Sequence, residues 1–193
     1  MTKWVIVRYF VIGFYVGAST VGIFIYWYLF FSHTDGHSLI AWDQITNWMK
    51  CHTWTDFAVN SFDGIDLSKN PCDYFTIGKK KPVTLSLTVL VIIEMFNAMN
   101  AVSDEQSVLV VPPFKNVWLL VAITFSCTLH CVIMYIPFFA KIFGLAPLDL
   151  TEWFLVIVFS LPVILIEEVM KFISRINSKH ETKHMLLKHK KEE

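Results

Sequence analysis

Charge is what this sequence has least of. Only 17% of its 193 residues are Asp, Glu, Lys or Arg, against about a quarter in ordinary soluble domains. The 16 acids and 16 bases cancel to a formal net charge of zero, so no overall basic field exists to hold nucleic acid, and the reading excludes that partner class. A cleavable signal peptide is not expected either. The run from Tyr9 to Phe31 is too long and aromatic for one, and no small-residue cleavage site follows. What fills the space is apolar. Hydrophobic residues make up 55% of the chain, mean hydropathy is +0.53 and aromatics reach 16%, crowded near the ends of the apolar runs as an interfacial belt would place them. The composition predicts an all-α, polytopic membrane helix bundle with the lipid bilayer as its surroundings.

Four runs are long enough to cross a hydrocarbon core of about 30 Å, which takes about 20 residues of helix. They cover about residues 9–31, 83–102, 117–139 and 153–170, with one long polar loop over 32–82. The second run is the most informative. Glu94 stands near its middle, where an ionised carboxylate is costly unless solvated or paired. Asn97 follows three residues on, and Ala98 and Ala101 fall at the next helical spacings, so one face is polar and small. Such a face belongs inside a bundle or beside a cavity, and an acid on it points to movement of a cation or a proton.

In the first run Gly13 and Gly17 make a small-xxx-small face that predicts close packing against another helix. Pro162 should kink the fourth run, and Asp149 or Thr151 should cap its start. Glu167 and Glu168 fall at its end, at headgroup level, which leaves Glu94 as the one carboxylate expected deep in the membrane.

The loop carries turn signals at Asp35-Gly36, Asp63-Gly64 and Asn70-Pro71. It also holds Cys51 and Cys72, which would be a disulfide in an oxidising compartment and two free thiols elsewhere. Two groups invite a metal reading without supporting it. His33, Asp35 and His37 lack a fourth ligand and a rigid frame. Cys127, His130, Cys131 and Met134 share a helical face, where small buried thiols and an interhelical His hydrogen bond account for them. Residues 174–193 are a polar tail, and from Lys171 onward there are seven Lys/Arg and three His. Four spans put both termini on one side. Lys3, Arg8, Lys115 and the seven of the tail region make ten basic residues there, against six in the long loop and the short link, which favours cytosolic termini. The three lysines at 79–81 count the other way.

The stretch IEMFNAMNAVSDEQSVL, the Pro-Pro that follows, LDLTEW and LPVILIEEVMKF resemble the last four membrane spans of endoplasmic-reticulum-type P-type calcium ATPases. So do RYFVIGFYVGASTVG and NPCDYFTIGKKKPVTLSLTVLV. The resemblance covers about residues 4–173 in order, and it is closest to plant and protist members. It implies a C-terminal membrane domain over residues 1–173, with 174–193 as a cytosolic tail. It implies that Glu94 ligates transported Ca2+, with Asn97 as a second candidate one turn on. It implies that the Gly13 and Gly17 face packs on the long central helix of the pump's core. It also implies that Cys51 and Cys72 correspond to a luminal disulfide of animal members, though they are further apart here. The expected location is a multi-pass protein of the endoplasmic reticulum membrane.

The sequence departs from that family in what it does not contain. It has no Asp-Lys-Thr-Gly-Thr phosphorylation motif and no nucleotide-binding or actuator region, so ATP and Mg2+ would act only through domains absent from it. Calcium takes about six to eight oxygens, more than Glu94 and Asn97 supply. The leading expectation is therefore the transport-domain portion of a calcium pump, not competent alone, whose partners are the remaining spans on the same or a separate chain. The alternative is a stand-alone, non-catalytic four-span protein that binds or regulates a full pump. An unrelated carrier using Glu94 as a proton relay rests on the lone acid only.

Overall fold

Residues 3–31, 36–55, 57–62, 64–101 and 116–176 are described by the computed structural model. Four helices among them are long and apolar enough to cross a membrane: Val5–Leu29, Asp73–Ala101, Val117–Tyr135 and Leu150–Ile176. In chain order the elements are α1 (Lys3–Leu29), α2 (Trp42–Thr46), a 3-10 turn (Trp48–Thr53), α3 (Asp73–Thr76), α4 (Lys80–Ala101), α5 (Val117–Tyr135), α6 (Pro137–Phe143) and α7 (Leu150–Ser160). The chain is helical again over 162–176, here called α8. The described residues contain no strand, only an isolated bridge between Phe62 and Ile65.

The element ends follow from local chemistry. Helix α1 begins before residue 9 because Arg8, which a hydropathy reading treats as a boundary, is neutralised by Glu167. Helix α5 stops at Tyr135, short of residue 139, because a residue before proline is pushed to extended backbone. Ile136 takes φ −85° and ψ 116°, and α6 starts at Pro137. Gly144 ends α6 in the left-handed region at φ 66°, a conformation that favours glycine. Asp149 is the residue before α7, and its N–H donates to Glu152 Oε2 at 2.7 Å. The fourth span breaks at Leu161, where Pro162 has no N–H to give, and Ile164 N–H donates to Leu161 O at 3.1 Å in a tighter turn.

Helix α4 is the centre of the bundle and packs on α1, α5 and α7. Hydroxyls tie it to its neighbours where charge would be costly. Ser86 donates to Thr20 O of α1 at 2.6 Å. Thr88 Oγ1 lies 3.0 Å from His130 Nε2 of α5, and Thr84 Oγ1 accepts from Ala146 N–H at 3.0 Å. Tyr15 of α1 donates to Phe159 O at 2.7 Å, just before the proline break. Arg8, at the start of α1, meets Glu167 in α8, so the N-terminal end of α1 and the C-terminal span end lie at the same end of the bundle.

The loop after α1 is more ordered than its polarity suggests. Trp27, Tyr28, Tyr74 and Phe62 are buried together, and the His37 ring stacks on Trp27 with centroids 3.7 Å apart. Ile40 N–H donates to Tyr28 O at 3.1 Å, folding the loop back on the last turn of α1. Cys51 and Cys72 are joined, with Cα atoms 5.8 Å apart, and Cys72 immediately precedes α3. Ser68 donates its hydroxyl and its N–H to Asp66 Oδ1, at 2.6 and 3.0 Å, and holds that carboxyl below its ordinary value.

Candidate functional site

A cavity of about 510 Å³ opens where α1, α4 and α8 converge. Glu94, Asn97 and Ala98 line it from α4, Arg8 and Gly13 from α1, and Glu167 from α8. The three-residue spacing of Glu94 and Asn97 on a helix puts both on one face. Glu94 is exposed on that face. The Asn97 Oδ1 is buried and has no hydrogen-bond partner among the described residues, an unusual state for a buried acceptor. A carboxylate beside an unsatisfied amide oxygen is a donor set suited to a hard cation.

Glu167 is more enclosed than its place near the end of the apolar run suggests. The helix that carries it continues to Ile176. Glu167 is 4% exposed and lines the same cavity as Glu94. Its charge is already engaged, since Arg8 Nε and Nη2 both donate to Glu167 Oε2, at 3.1 and 2.7 Å. Glu94 and Glu167 are therefore neighbours of one cavity with different occupations.

Gly13 and Gly17 are exposed, and a Cβ added at either would meet nothing within 4 Å. Close packing at this face is not made by any described helix of this chain. α1 approaches its neighbours elsewhere, and a Cβ added at Gly22 would stand 3.6 Å from the Phe159 ring. Among the described residues, which include Cys127, His130 and Cys131, no group of three or more His, Cys, Asp or Glu could hold an ion. His33 and Asp35 lie outside the described residues, as do the link over 102–115 and the tail from 177.

Several polar contacts escaped the sequence reading because each spans a long separation. Lys81 Nζ donates to Glu152 at 3.0 and 3.2 Å, with the two residues 5% and 0% exposed. Lys171, 2% exposed, donates to Asn100 O at 3.0 Å. Charged residues inside long apolar helices were the available signal, since in such surroundings a cation demands a partner.

The family described as "Cation transporting ATPase, C-terminus" matches residues 1–173. Calcium-transporting ATPase 2, endoplasmic reticulum-type, of Arabidopsis thaliana is 53% identical over 186 residues, covering 90% of this chain and 18% of that protein. Calcium-transporting ATPase 4, endoplasmic reticulum-type, of the same plant is 50% identical over 188 residues, with 92% and 18% covered. A calcium-transporting ATPase of Plasmodium falciparum is 45% identical over 183 residues, with 95% and 15% covered. The chain thus spans less than a fifth of the length of these relatives. With α1, α4, α5 and all but the last three residues of the broken fourth span inside the matched region, the chain belongs to the C-terminal family of cation-transporting ATPases.

Proposed function

We propose that the chain is the C-terminal transport-domain portion of an ATP-driven Ca2+ pump of the endoplasmic reticulum membrane, with Glu94 as a calcium-ligating carboxylate and Asn97 as a second oxygen. The observation that carries this reading is the cavity in which Glu94 is exposed beside the unpartnered Asn97 Oδ1. Calcium sheds water only for a shell of about six to eight oxygens. Two side chains of α4 supply a minority of them, and the remaining spans of a pump supply the rest. The exposed Gly13 lines the same cavity, with Gly17 one turn further on, so helices arriving on that strip would close it. ATP and Mg2+ act through domains outside this sequence. Both termini are assigned to the cytosol and the disulfide-linked loop to the lumen. The burial of Lys81 against Glu152 supports that assignment, because one of the three loop-side lysines is neutralised.

The test is a chimera in which this chain replaces the matching segment of the Arabidopsis type 2 pump. Glu94→Gln is expected to raise the calcium concentration for half-maximal phosphorylation by at least about tenfold, with assembly intact. Unchanged calcium affinity in an assembled variant removes the ligand role. One observation favours the second reading, a non-catalytic four-span protein that binds a full pump: the Gly13 and Gly17 face has no partner among the described residues. Co-purification of the 193-residue chain with an intact pump would support it.

A further inference from the structure

Two buried lysines cross the same helix interface at the same offset. Lys81 of α4 reaches Glu152 at the start of α7, and Lys171 of α8 reaches the Asn100 carbonyl near the end of α4. Both pairs are separated by 71 residues in sequence. An equal offset at the two ends means that α4 and the fourth span run parallel, with the two contacts 19 positions, about 28 Å of helix, apart on each. The buried positions between the ends repeat at the same offset: Thr84 and Leu155, Leu85 and Val156, Val89 and Ser160. The register therefore survives the break at Pro162.

We infer that Lys81 and Lys171 are positioning residues that set the axial register of α4 against the fourth span, and through it the depth of Glu94. The chemistry of the two ends favours this. Apolar packing between parallel helices is nearly indifferent to a one-turn slip, since one apolar ridge resembles the next. A buried cation is not, because a slip of one turn, about 5.4 Å, separates it from the acceptor it reaches here, in an apolar surrounding where that contact is costly to lose. The two clamps also act in opposite senses. At one end α4 supplies the cation, and at the other it supplies the acceptor. A slip in either direction breaks both. Glu94 lies between them, six positions from Asn100.

The register can be measured without any activity. Leu87 and Val158, 37% and 46% exposed, are also related by the 71-residue offset and can carry spin labels as Leu87→Cys and Val158→Cys, with Cys127 and Cys131 changed to Ala, in the full chain reconstituted in vesicles. A single narrow distance is expected. Lys81→Met with Lys171→Met should shift it by about one turn, roughly 5 Å, or broaden it. Lys81→Glu with Glu152→Lys should restore it, although the Asp149 N–H loses its acceptor. An unchanged distance and width in the double Met variant, or a shifted distance in the charge swap, overturns the clamp. The calcium consequence rests on the reading of Glu94 above and is read in the chimera. The double Met variant should need about tenfold more calcium for half-maximal phosphorylation while keeping its maximal phosphoenzyme level, and a merely structural role would lower that maximum instead. A shifted register with unchanged calcium affinity leaves the clamp in place and counts against Glu94 as ligand.

Discussion

Lys81 and Glu152 sit 3.0 Å apart and are 5% and 0% exposed, and a buried ion pair is asymmetric in what its removal does. Taking away one partner strands the other charge, a loss of about 3–5 kcal/mol, whereas replacing both with apolar groups of similar volume is often close to neutral. Glu152→Leu should therefore lower the thermal unfolding midpoint of the chain in mild detergent sharply, and Lys81→Met with Glu152→Leu should recover most of it. Equal midpoints for the single and double variants would mean that the pair is solvated in the native state. Asp66 shows the same logic in water. Its carboxyl is held below the ordinary value by the Ser68 hydroxyl and N–H. A depressed native value means that this turn is favoured above the unfolded carboxylate range and loses that support as pH falls through the native value. Ser68→Ala should raise the Asp66 midpoint, read from its side-chain carboxyl carbon by NMR, and a midpoint that stays in place would show that the backbone N–H alone sets it.

At the scale of elements, the loop between α1 and α4 is the part whose stability depends on a covalent link. Joining Cys51 to Cys72 closes a loop with a sequence separation of 21, and the chain-entropy account gives such a closure about 3 kcal/mol. Cys51→Ser should expose the segment 36–72 to limited proteolysis while leaving the membrane helices protected, and identical cleavage rates with and without the bond would show that the aromatic cluster holds the loop unaided. Composition revealed the four apolar helices because lipid removes most alternatives to a continuous helix. It also placed Glu94 and Asn97 on one face, since helical spacing alone decides that. What stayed hidden depends on which helix meets which. Arg8 read as a boundary until Glu167, far along the chain, neutralised it, and Lys81 read as loop charge until Glu152 buried it. His37 looked like a loose loop residue, yet it stacks on Trp27. The two ion pairs join residues more than 70 apart and have no local signature.

For the whole molecule, the contrast between the two sides of α1 decides what the chain can do by itself. One side is finished: Ile23 and Trp27 are wholly buried, and Tyr15 is bonded to Phe159 O. The other presents Gly13, which lines the cavity that holds Glu94, and Gly17 one turn on, both with open space where a Cβ would stand. In lipid, association of helices comes from close backbone approach rather than from a hydrophobic drive, so this bare strip is the surface on which further helices would settle. Gly17→Leu separates the two sides. Within the chain the new Cβ meets no described atom within 4 Å, so helical content should be unchanged and the unfolding free energy should stay within about 0.5 kcal/mol of the parent, as for substitutions away from contacts. Against the other spans of a pump, a leucine at the point of closest approach pushes the backbones apart, and co-purification should fall at least about tenfold. A variant that unfolds the chain would show that α1 has a partner at Gly17 within it. A variant that leaves both stability and co-purification untouched would place the contact with the rest of the pump on another face, and Glu94 would then need its remaining calcium oxygens from helices arriving by a different route.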